Sequence, residues 1–232
     1  TCHGAQRGVP ALRAVLQRHG AAATFFFPLG PDHSGRQTGS DSLTSYYDLT
    51  TRLYGRLLPA PEIGQRAVTA LREAREAGFE VAIRAWDRAQ WEKQAPQAEN
   101  PWIEQQMVRA SQRFKEIFAE APLAYAAAGW RGNRHALRLT QRLGFCYASD
   151  CRGKFPFIPV IDGELVLCPQ LPTTLPTIDE LLSQPAIRPA QAGEKILATA
   201  AEVDGDHVFT LRAELEGMRY LDVFERLLTE WR

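Results

Sequence analysis

Charged residues follow several predicted strands, and the clearest group lies in residues 83–88. This segment places Arg84 and Arg88 four positions apart, with Trp86 and Asp87 between them. Guanidinium groups donate paired hydrogen bonds to carboxylate and phosphate oxygens, so two of them at one strand end could bind an anion. A solvated cluster of surface charges has the same pattern, and this segment taken alone favours that reading.

Three further groups of charged residues also follow predicted strands. They contain Arg131, then Asp150, and then Arg212 with Glu214 and Glu216. Each group alone is typical of a capping salt bridge. Because the carboxyl ends of parallel strands meet at one edge of a sheet, we expect the groups to form a single charged rim.

The common catalytic and metal-binding motifs do not occur. The five histidines include no pair at the i, i+4 spacing of a helical metal site, and we expect each to be structural. There is no GxSxG, P-loop or GxGxxG sequence. The four cysteines form no CxxC, so we expect buried thiols in a reducing compartment.

Helical and strand patterns alternate along the chain and must position these residues. Such alternation predicts an α/β fold with a parallel sheet, open or closed into a barrel. With no linker or repeat in view, we expect one domain over residues 1–232. The patterns predict helices at 8–19, 62–77, 102–119, 133–143, 178–183, 194–201 and 220–231, strands at 22–29, 79–86, 123–128, 145–149, 165–168 and 207–212, and a loop at 36–48.

Composition excludes several classes of protein. Hydrophobic residues make up 45% and charged residues 23% of the 232 residues, which is typical of a globular protein. Lysine plus arginine and aspartate plus glutamate each total 27, so nucleic acid is not an expected partner. No apolar run approaches the ~18 residues of a membrane span. We expect a soluble protein of the cytoplasm, or one peripheral to the inner membrane.

Nine short segments, in this order, resemble the polysaccharide deacetylase (NodB-like) superfamily. The resemblance is strongest to the branch that removes a formyl group from lipid-linked formamido-arabinose, and it covers nearly the whole chain. It implies a distorted (β/α) barrel of about seven parallel strands. The first strand either precedes Thr1, which we favour, or is absent from the barrel. The segments are residues 7–10 (RGVP), 23–27 (ATFFF), 29–32 (LGPD), 78–81 (GFEV), 85–87 (AWD), 129–131 (GWR), 149–153 (SDCRG), 169–177 (PQLPTTLPT) and 213–217 (AELEG).

The resemblance implies metal-dependent hydrolysis of an amide on a carbohydrate. In the family, an aspartate and two histidines hold zinc or a similar cation, a second aspartate acts as base, and a third histidine as general acid. The two histidine ligands correspond to Arg84 and Arg88, and the general acid corresponds to Arg212. The aspartate pair would precede Thr1.

A supporting pair in the family orients the base, and its positions match Arg131 and Asp150. Both residue types are retained. We therefore expect this pair to lie together at the rim of the sheet.

The arginine replacements predict that the family reaction is impaired or lost. A guanidinium offers no lone pair and stays protonated, so it neither ligates a cation nor shuttles a proton in the ordinary way. We therefore expect no bound metal, and an anion pocket formed by Arg84, Arg88 and Arg212 with Asp87 and Trp86.

The alternative is an active sugar deformylase or deacetylase that uses other residues. Nearby carboxylates are Asp87, Asp150, Glu214 and Glu216, with Glu214 as a candidate base, and zinc would be the cofactor if the family mechanism survives. A regulatory or scaffold protein has no specific support. The expected partner is a carbohydrate or a lipid-linked sugar phosphate. Membrane contact is doubtful, because the loop at 36–48 is shorter than the stretch expected to meet a membrane.

Overall fold

The computed structural model describes residues 1–37 and 43–231, and a parallel four-stranded sheet lies at its centre. The strand order is β1-β2-β3-β4, so β2 is hydrogen-bonded on both sides. A separate antiparallel pair, β5 and β6, forms a hairpin. The strands are β1 Thr24–Phe27, β2 Glu80–Arg84, β3 Ala124–Ala126, β4 Tyr147–Ala148, β5 Val160–Ile161 and β6 Glu164–Leu165.

Helices connect the parallel strands, as a parallel sheet requires. In the described residues the α-helices are α1 Val9–His19, α2 Leu49–Leu53, α3 Ile63–Arg66, α4 Val68–Glu76, α5 Arg88–Gln94, α6 Asn100–Phe118, α7 Arg134–Arg142, α8 Ile178–Leu182, α9 Pro189–Glu202 and α10 Leu221–Glu230. Residues 4–8 and 215–219 each form a π-helical turn.

Local sequence explains where several helices begin and end. Helix α1 carries Pro10 in its first turn and ends at Gly20, whose φ of 60° lies in the left-handed region that glycine favours. Asn133 caps α7 by accepting a hydrogen bond from Ala136 N. Thr177 opens α8 with a capping box.

The main hydrophobic core lies between the sheet and the helices that flank it. Three consecutive residues of β2, Val81, Ala82 and Ile83, are buried, because helices or loops cover both faces of the strand. A second cluster joins α8 and α9 to Leu215 and Tyr47. These two clusters hold the carboxyl end of β2 close to the chain around residue 212.

The parallel α/β architecture is confirmed, but the described sheet has four strands where the resemblance implies about seven. In the described residues beyond β4, the chain forms isolated parallel bridges: Gln170 pairs with Ala148 of β4, and Thr173 pairs with Arg152, which follows β4. The predicted strand at 207–212 was wrong. Val208 O accepts backbone hydrogen bonds from Thr174 N and Leu175 N, and Arg212 O accepts from Leu215 N and Glu216 N in the following turn, so among the described residues this segment forms no ladder.

Two other predicted elements also differ. The predicted strand at 165–168 is instead the second arm of the β5–β6 hairpin, which turns at Asp162 and Gly163. The predicted helix at 62–77 is divided into α3 and α4, because Ala67 leaves helical geometry at φ −109°, ψ 11°. The predicted loop at 36–48 lies partly outside the described residues, and its end forms a 3-10 turn, Leu43–Tyr46.

Candidate anion site at the carboxyl end of β2

A cavity of about 510 Å³ lies between β1, α1 and the chain at residues 207–214. Much of its wall is apolar and comes from α1, β1 and α10. Three arginines also line it: Arg84, Arg88 and Arg212. The structure therefore brings together the three arginines that the sequence singled out.

Arg84 is the last residue of β2, and it has few partners for its charge. Its Nη2 donates to Ala127 O at 3.3 Å, whereas its buried Nε has no hydrogen-bond partner. Among the described residues it forms no ion pair. Burial, followed by the charges of Arg212 and Arg88, lowers the pKa of Arg84 to about 10, so it stays protonated at neutral pH.

Arg88 begins α5 and has partners on two sides. Its Nη2 donates to Gln37 Oε1 at 2.6 Å and to the Tyr47 hydroxyl at 2.7 Å, and its Nε lies 3.8 Å from Glu92 Oε1. Burial alone would lower the pKa of Arg88, but the neighbouring Tyr47 and Glu92 raise it above its usual range.

Arg212 is paired with an acid. Its Nε lies 2.9 Å from Asp179 Oδ2, and both side chains are largely buried. Burial lowers the pKa of Arg212, yet the Asp179 carboxylate outweighs it and leaves that pKa above the ordinary value. Within residues 1–37 and 43–231, Arg88 and Arg212 thus have acidic neighbours within 4 Å, and Arg84 does not.

Two glutamates follow Arg212 and occupy different environments. Glu214 lines the cavity, and its Oε1 accepts a hydrogen bond from Thr1 N at 2.5 Å. Burial raises its pKa, but nearby positive charge, including that of Arg88, holds that pKa well below the usual range. Glu216 is fully buried, accepts from Arg212 N at 2.8 Å, and has a pKa that burial raises to about 8. An ionised Glu214 is a poor proton acceptor at neutral pH.

The two other residues assigned to the anion pocket lie outside its lining. Asp87 caps α5 by accepting from Gln90 N at 3.0 Å, and its other oxygen binds His33 Nδ1. Trp86 packs against Gly30 so closely that a Cβ there would lie 2.6 Å from the indole. Both residues position the segment between β2 and α5.

Arg131 and Asp150, expected as a pair, have different partners. Arg131 is exposed, and its Nη1 donates to Glu92 O at 3.2 Å. Asp150 accepts from Ala127 N at 2.8 Å and from Gln170 Nε2 at 3.2 Å. Burial raises the pKa of Asp150 to about 7. The bonds place Asp150 near Arg84 instead, because each binds the backbone of Ala127.

The sequence did not predict which residues bind the three arginines. Tyr47 and Gln37 lie 41 and 51 positions from Arg88, and Asp179 lies 33 positions from Arg212. No local pattern marks such pairs. Tyr47 could have been noticed as an aromatic residue in a polar loop, but nothing in the sequence assigns its partner.

Comparison with known proteins identifies the family of this chain. The family model "polysaccharide deacetylase" matches residues 3–148. The chain belongs to the polysaccharide deacetylase family. A Shewanella sediminis protein, described as a probable 4-deoxy-4-formamido-L-arabinose-phosphoundecaprenol deformylase ArnD, is 32% identical over 242 residues, which cover 99% of this chain and 78% of the relative. The family expected from the sequence is confirmed.

Solved structures share the fold at lower identity. One described as a polysaccharide deacetylase from Mycobacterium smegmatis has a TM-score of 0.70 and 19% identity, covering 98% of this chain and 71% of its own. A CE4 family pseudoenzyme from Bacillus anthracis has a TM-score of 0.57 and 9% identity, covering 97% of this chain and 57% of its own. These likenesses support the α/β architecture.

The family is generally metal-dependent, but the residues at this cavity do not fit a divalent cation. Arg84, Arg88 and Arg212 line it, and their guanidiniums carry only hydrogen-bond donors and a positive charge. Within residues 1–37 and 43–231, no group of three or more histidine, cysteine, aspartate or glutamate side chains is arranged to hold a metal ion. We therefore derive no catalytic step through a metal.

No helix in the described residues is long and apolar enough to cross a membrane.

Proposed function

We propose that this family member binds the anionic group of a carbohydrate ligand at Arg84, Arg88 and Arg212, and that it lacks the metal-dependent hydrolysis of its family. The observation that carries the proposal is the Arg84 guanidinium, which lines the cavity, has a buried Nε without a hydrogen-bond partner, and forms no ion pair with the residues that the structure describes. The ligand class is a sugar phosphate or sugar carboxylate.

The charge balance around Arg84 supports binding of an anion. Arg212 and Arg88 lower its pKa more strongly than Glu92 and Glu214 raise it, so the local potential is positive. An uncompensated buried charge destabilises a protein by several kcal/mol. A phosphate or carboxylate in the cavity would offset that cost and would fill the open donor of Arg84.

The same residues argue against the family reaction. Arg84 and Arg88 replace the expected metal ligands, and Arg212 replaces the expected general acid. With a pKa of about 10, Arg84 is protonated at neutral pH, and Arg212 titrates higher still. Neither supplies a lone pair to a metal, nor a proton to a leaving group near pH 7.

The relatives support a carbohydrate as the bearer of the anion. The Shewanella sediminis relative is named for a formamido-arabinose joined to phosphoundecaprenol, which is a lipid-linked sugar phosphate. A phosphate ester of a sugar carries the oxygens that three arginines would bind. We expect the cavity to take such a group rather than a neutral glycan.

A second candidate function is hydrolysis of a formamido or acetamido sugar by other residues. It is favoured by one observation: Asp150 has a pKa of about 7, where a carboxyl can act as a general acid or base. Release of formate from a formamido-sugar phosphate, measured with and without a chelator, distinguishes the two functions. Turnover would replace the binding proposal with an enzyme, and chelator-sensitive turnover would show that metal ligands exist.

Thermal unfolding in phosphate tests the binding proposal. Saturating inorganic phosphate, compared with chloride at equal ionic strength, should raise the midpoint by about 5 °C or more if phosphate is 100-fold above its Kd. Arg84→Met should lose most of that shift. Arg109→Met removes an exposed arginine of α6 and should keep it. A shift equal in all three proteins, or no shift in the wild type, would refute the proposal.

A further inference from the structure

The β5–β6 hairpin presents an apolar face to solvent. Side chains alternate along its arms, so that Ile161 and Val166 are buried while Val160 and Leu165, a directly opposed pair, point outward. Ile158 and Leu167 extend the outward side. We call these four residues the apolar hairpin face. An ordinary two-sided hairpin carries polar residues on its solvent side, so this pattern is inverted.

The exposed area is large for a surface feature. Phe155, Val160, Leu165 and Leu167 are each at least 60% exposed, and Phe157 and Ile158 are about two-fifths exposed. Together these six residues present roughly 600 Å² of surface, which is the size at which apolar patches mark protein or membrane contacts.

The acidic residues of the hairpin are turned away from this face. Asp162, in the turn, pairs with Arg134 at 2.9 Å and with Arg138 at 3.2 Å, and Glu164 lies 3.5 Å from Arg138. Glu164 lies opposite Ile161, whose side chain is buried, so it is on the other face of the hairpin from Val160 and Leu165. Arg134 and Arg138 of α7 therefore pair with both acids, which reduces their repulsion of an anionic surface.

The segment around the hairpin has a small excess of positive charge. Residues 134–168 contain five arginines and lysines and three acids, whereas the whole chain has none in excess. Arg142, on the last turn of α7, and Lys154, before Phe155, are both exposed. Helix α7 lies against the hairpin, because Gln141 Oε1 accepts from Leu167 N at 2.6 Å.

We propose that the apolar hairpin face docks on an anionic lipid surface, with Phe155 and Phe157 beside it and Lys154 and Arg142 facing the headgroups. Apolar residues flanked by cations are the composition of interfacial membrane anchors. Each such cation contributes about 1 kcal/mol of attraction to anionic lipid.

A lipid surface fits the hairpin better than a second copy of the chain. A two-fold contact would bring the positive charges of both copies together, which opposes association. The area is also below the roughly 800 Å² per partner of a standard stable interface. Docking through this hairpin is independent of the loop at 36–48, on which the sequence-based doubt about membrane contact rested.

Flotation with lipid vesicles tests the proposal. The probes are vesicles of phosphatidylcholine alone and of phosphatidylcholine with 30% phosphatidylglycerol, a composition chosen to give a surface potential. We expect the wild type to float with the anionic vesicles and to be released by about 0.5 M salt, in which surface charges are screened. Absence of flotation with anionic vesicles would overturn the proposal.

Two variants locate the contact. The double substitution Val160→Ser with Leu165→Ser should weaken binding about 30-fold or more, because two apolar side chains no longer enter the interface. Lys154→Gln should weaken it about fivefold. The matched control, Leu49→Ser with Leu57→Ser, removes two leucines that are at least 70% exposed elsewhere and should bind as the wild type does.

Two outcomes would contradict the assignment of this face. One is equal flotation of the wild type and the Val160→Ser, Leu165→Ser variant, with circular dichroism showing that both are folded. The other is a wild-type dimer in light scattering that the double substitution converts to a monomer, since the face would then belong to a second copy. Phosphate binding at Arg84 is measured separately and does not depend on either result.

Discussion

The ends of β2 and β4 lie in the same sheet, and each has an ionisable side chain that is partly buried, but the two differ in their hydrogen bonding. At the end of β4, Asp150 has a hydrogen-bond donor for each carboxylate oxygen, Ala127 N and Gln170 Nε2. At the end of β2, Arg84 has an acceptor for Nη2 but none for Nε, and its nearest charges include two arginines. The Asp150 group is satisfied by the protein itself, whereas the Arg84 group is open to a ligand.

This difference distinguishes a charged side chain that stabilises the fold from one that is available to bind a ligand. A buried polar group whose partners are complete rigidifies the chain around it. A buried charge with an open donor is a source of instability that an anion can remove. The predictions below therefore assign opposite signs to substitutions at the two strand ends.

The largest expected effect is a pH dependence of stability that belongs to Asp150. Burial raises its pKa from 3.8 to about 7, so between these values the native state binds more protons than the unfolded state. The contribution of Asp150 to the free energy of unfolding is therefore complete below about pH 4, and it is lost as the pH rises to about 7. The loss is of order 4 kcal/mol, at about 1.4 kcal/mol per pKa unit.

Denaturant unfolding of the wild type and of Asp150→Asn, from pH 4 to pH 8, measures this effect. The wild type should lose stability relative to the variant across that window. Glu216, with its own raised pKa, is present in both proteins and cancels in the difference. A constant difference at all pH values would show that Asp150 titrates normally.

A smaller loss is expected for Asp150→Ala. The substitution leaves Ala127 N and Gln170 without their acceptor, and buried unsatisfied groups of this kind cost about 2 kcal/mol in total. Asp150→Asn keeps an acceptor oxygen and should be milder at pH 7. Urea unfolding compares the three proteins. If the alanine variant is as stable as the wild type, this carboxylate does not stabilise the fold.

At the end of β2 we expect a substitution to increase the free energy of unfolding. Arg84→Met replaces a buried charge with an apolar side chain of similar length, and such replacements are neutral or stabilising, here by about 1 kcal/mol. The midpoint of unfolding in phosphate-free buffer measures it. If Arg84→Met is destabilised by several kcal/mol, the guanidinium is a structural group with partners of its own.

The smallest expected effect is at a surface arginine. Arg109 is exposed on α6, so Arg109→Met should change the free energy of unfolding by less than about 0.5 kcal/mol. The same unfolding measurement serves as the control for both strand ends. A larger change would mean that the stability change in Arg84→Met comes from the loss of an arginine in general and not from the burial of Arg84.

The sequence predicted the main helices and strands and the cluster of three arginines. The apolar runs around Phe25 and Val81 identified β1 and β2, and a parallel sheet then required that the residues after the strands converge. Arg84, Arg88 and Arg212 do line one cavity. The family resemblance rested on ordered segments and was confirmed by the family match to residues 3–148.

Other features depended on contacts that local patterns do not encode. The ion pair of Arg212 with Asp179 and the bond of Arg88 to Tyr47 join distant segments. The hairpin did carry a signal, since Asp162 and Gly163 both have positive φ, as an Asp-Gly hairpin turn requires. Arg131 and Asp150 were expected as a pair from resemblance alone, and the structure gives them different partners.

Isothermal titration of inorganic phosphate into the wild type and into Arg84→Met, at low salt, tests the central claim most directly. We predict a saturable isotherm with one phosphate per chain for the wild type and at least about a tenfold weaker affinity for the variant, since one charge-assisted hydrogen-bonding partner is lost. Equal affinity in both proteins, or no binding to the wild type, would contradict the account of Arg84 as an anion-binding residue.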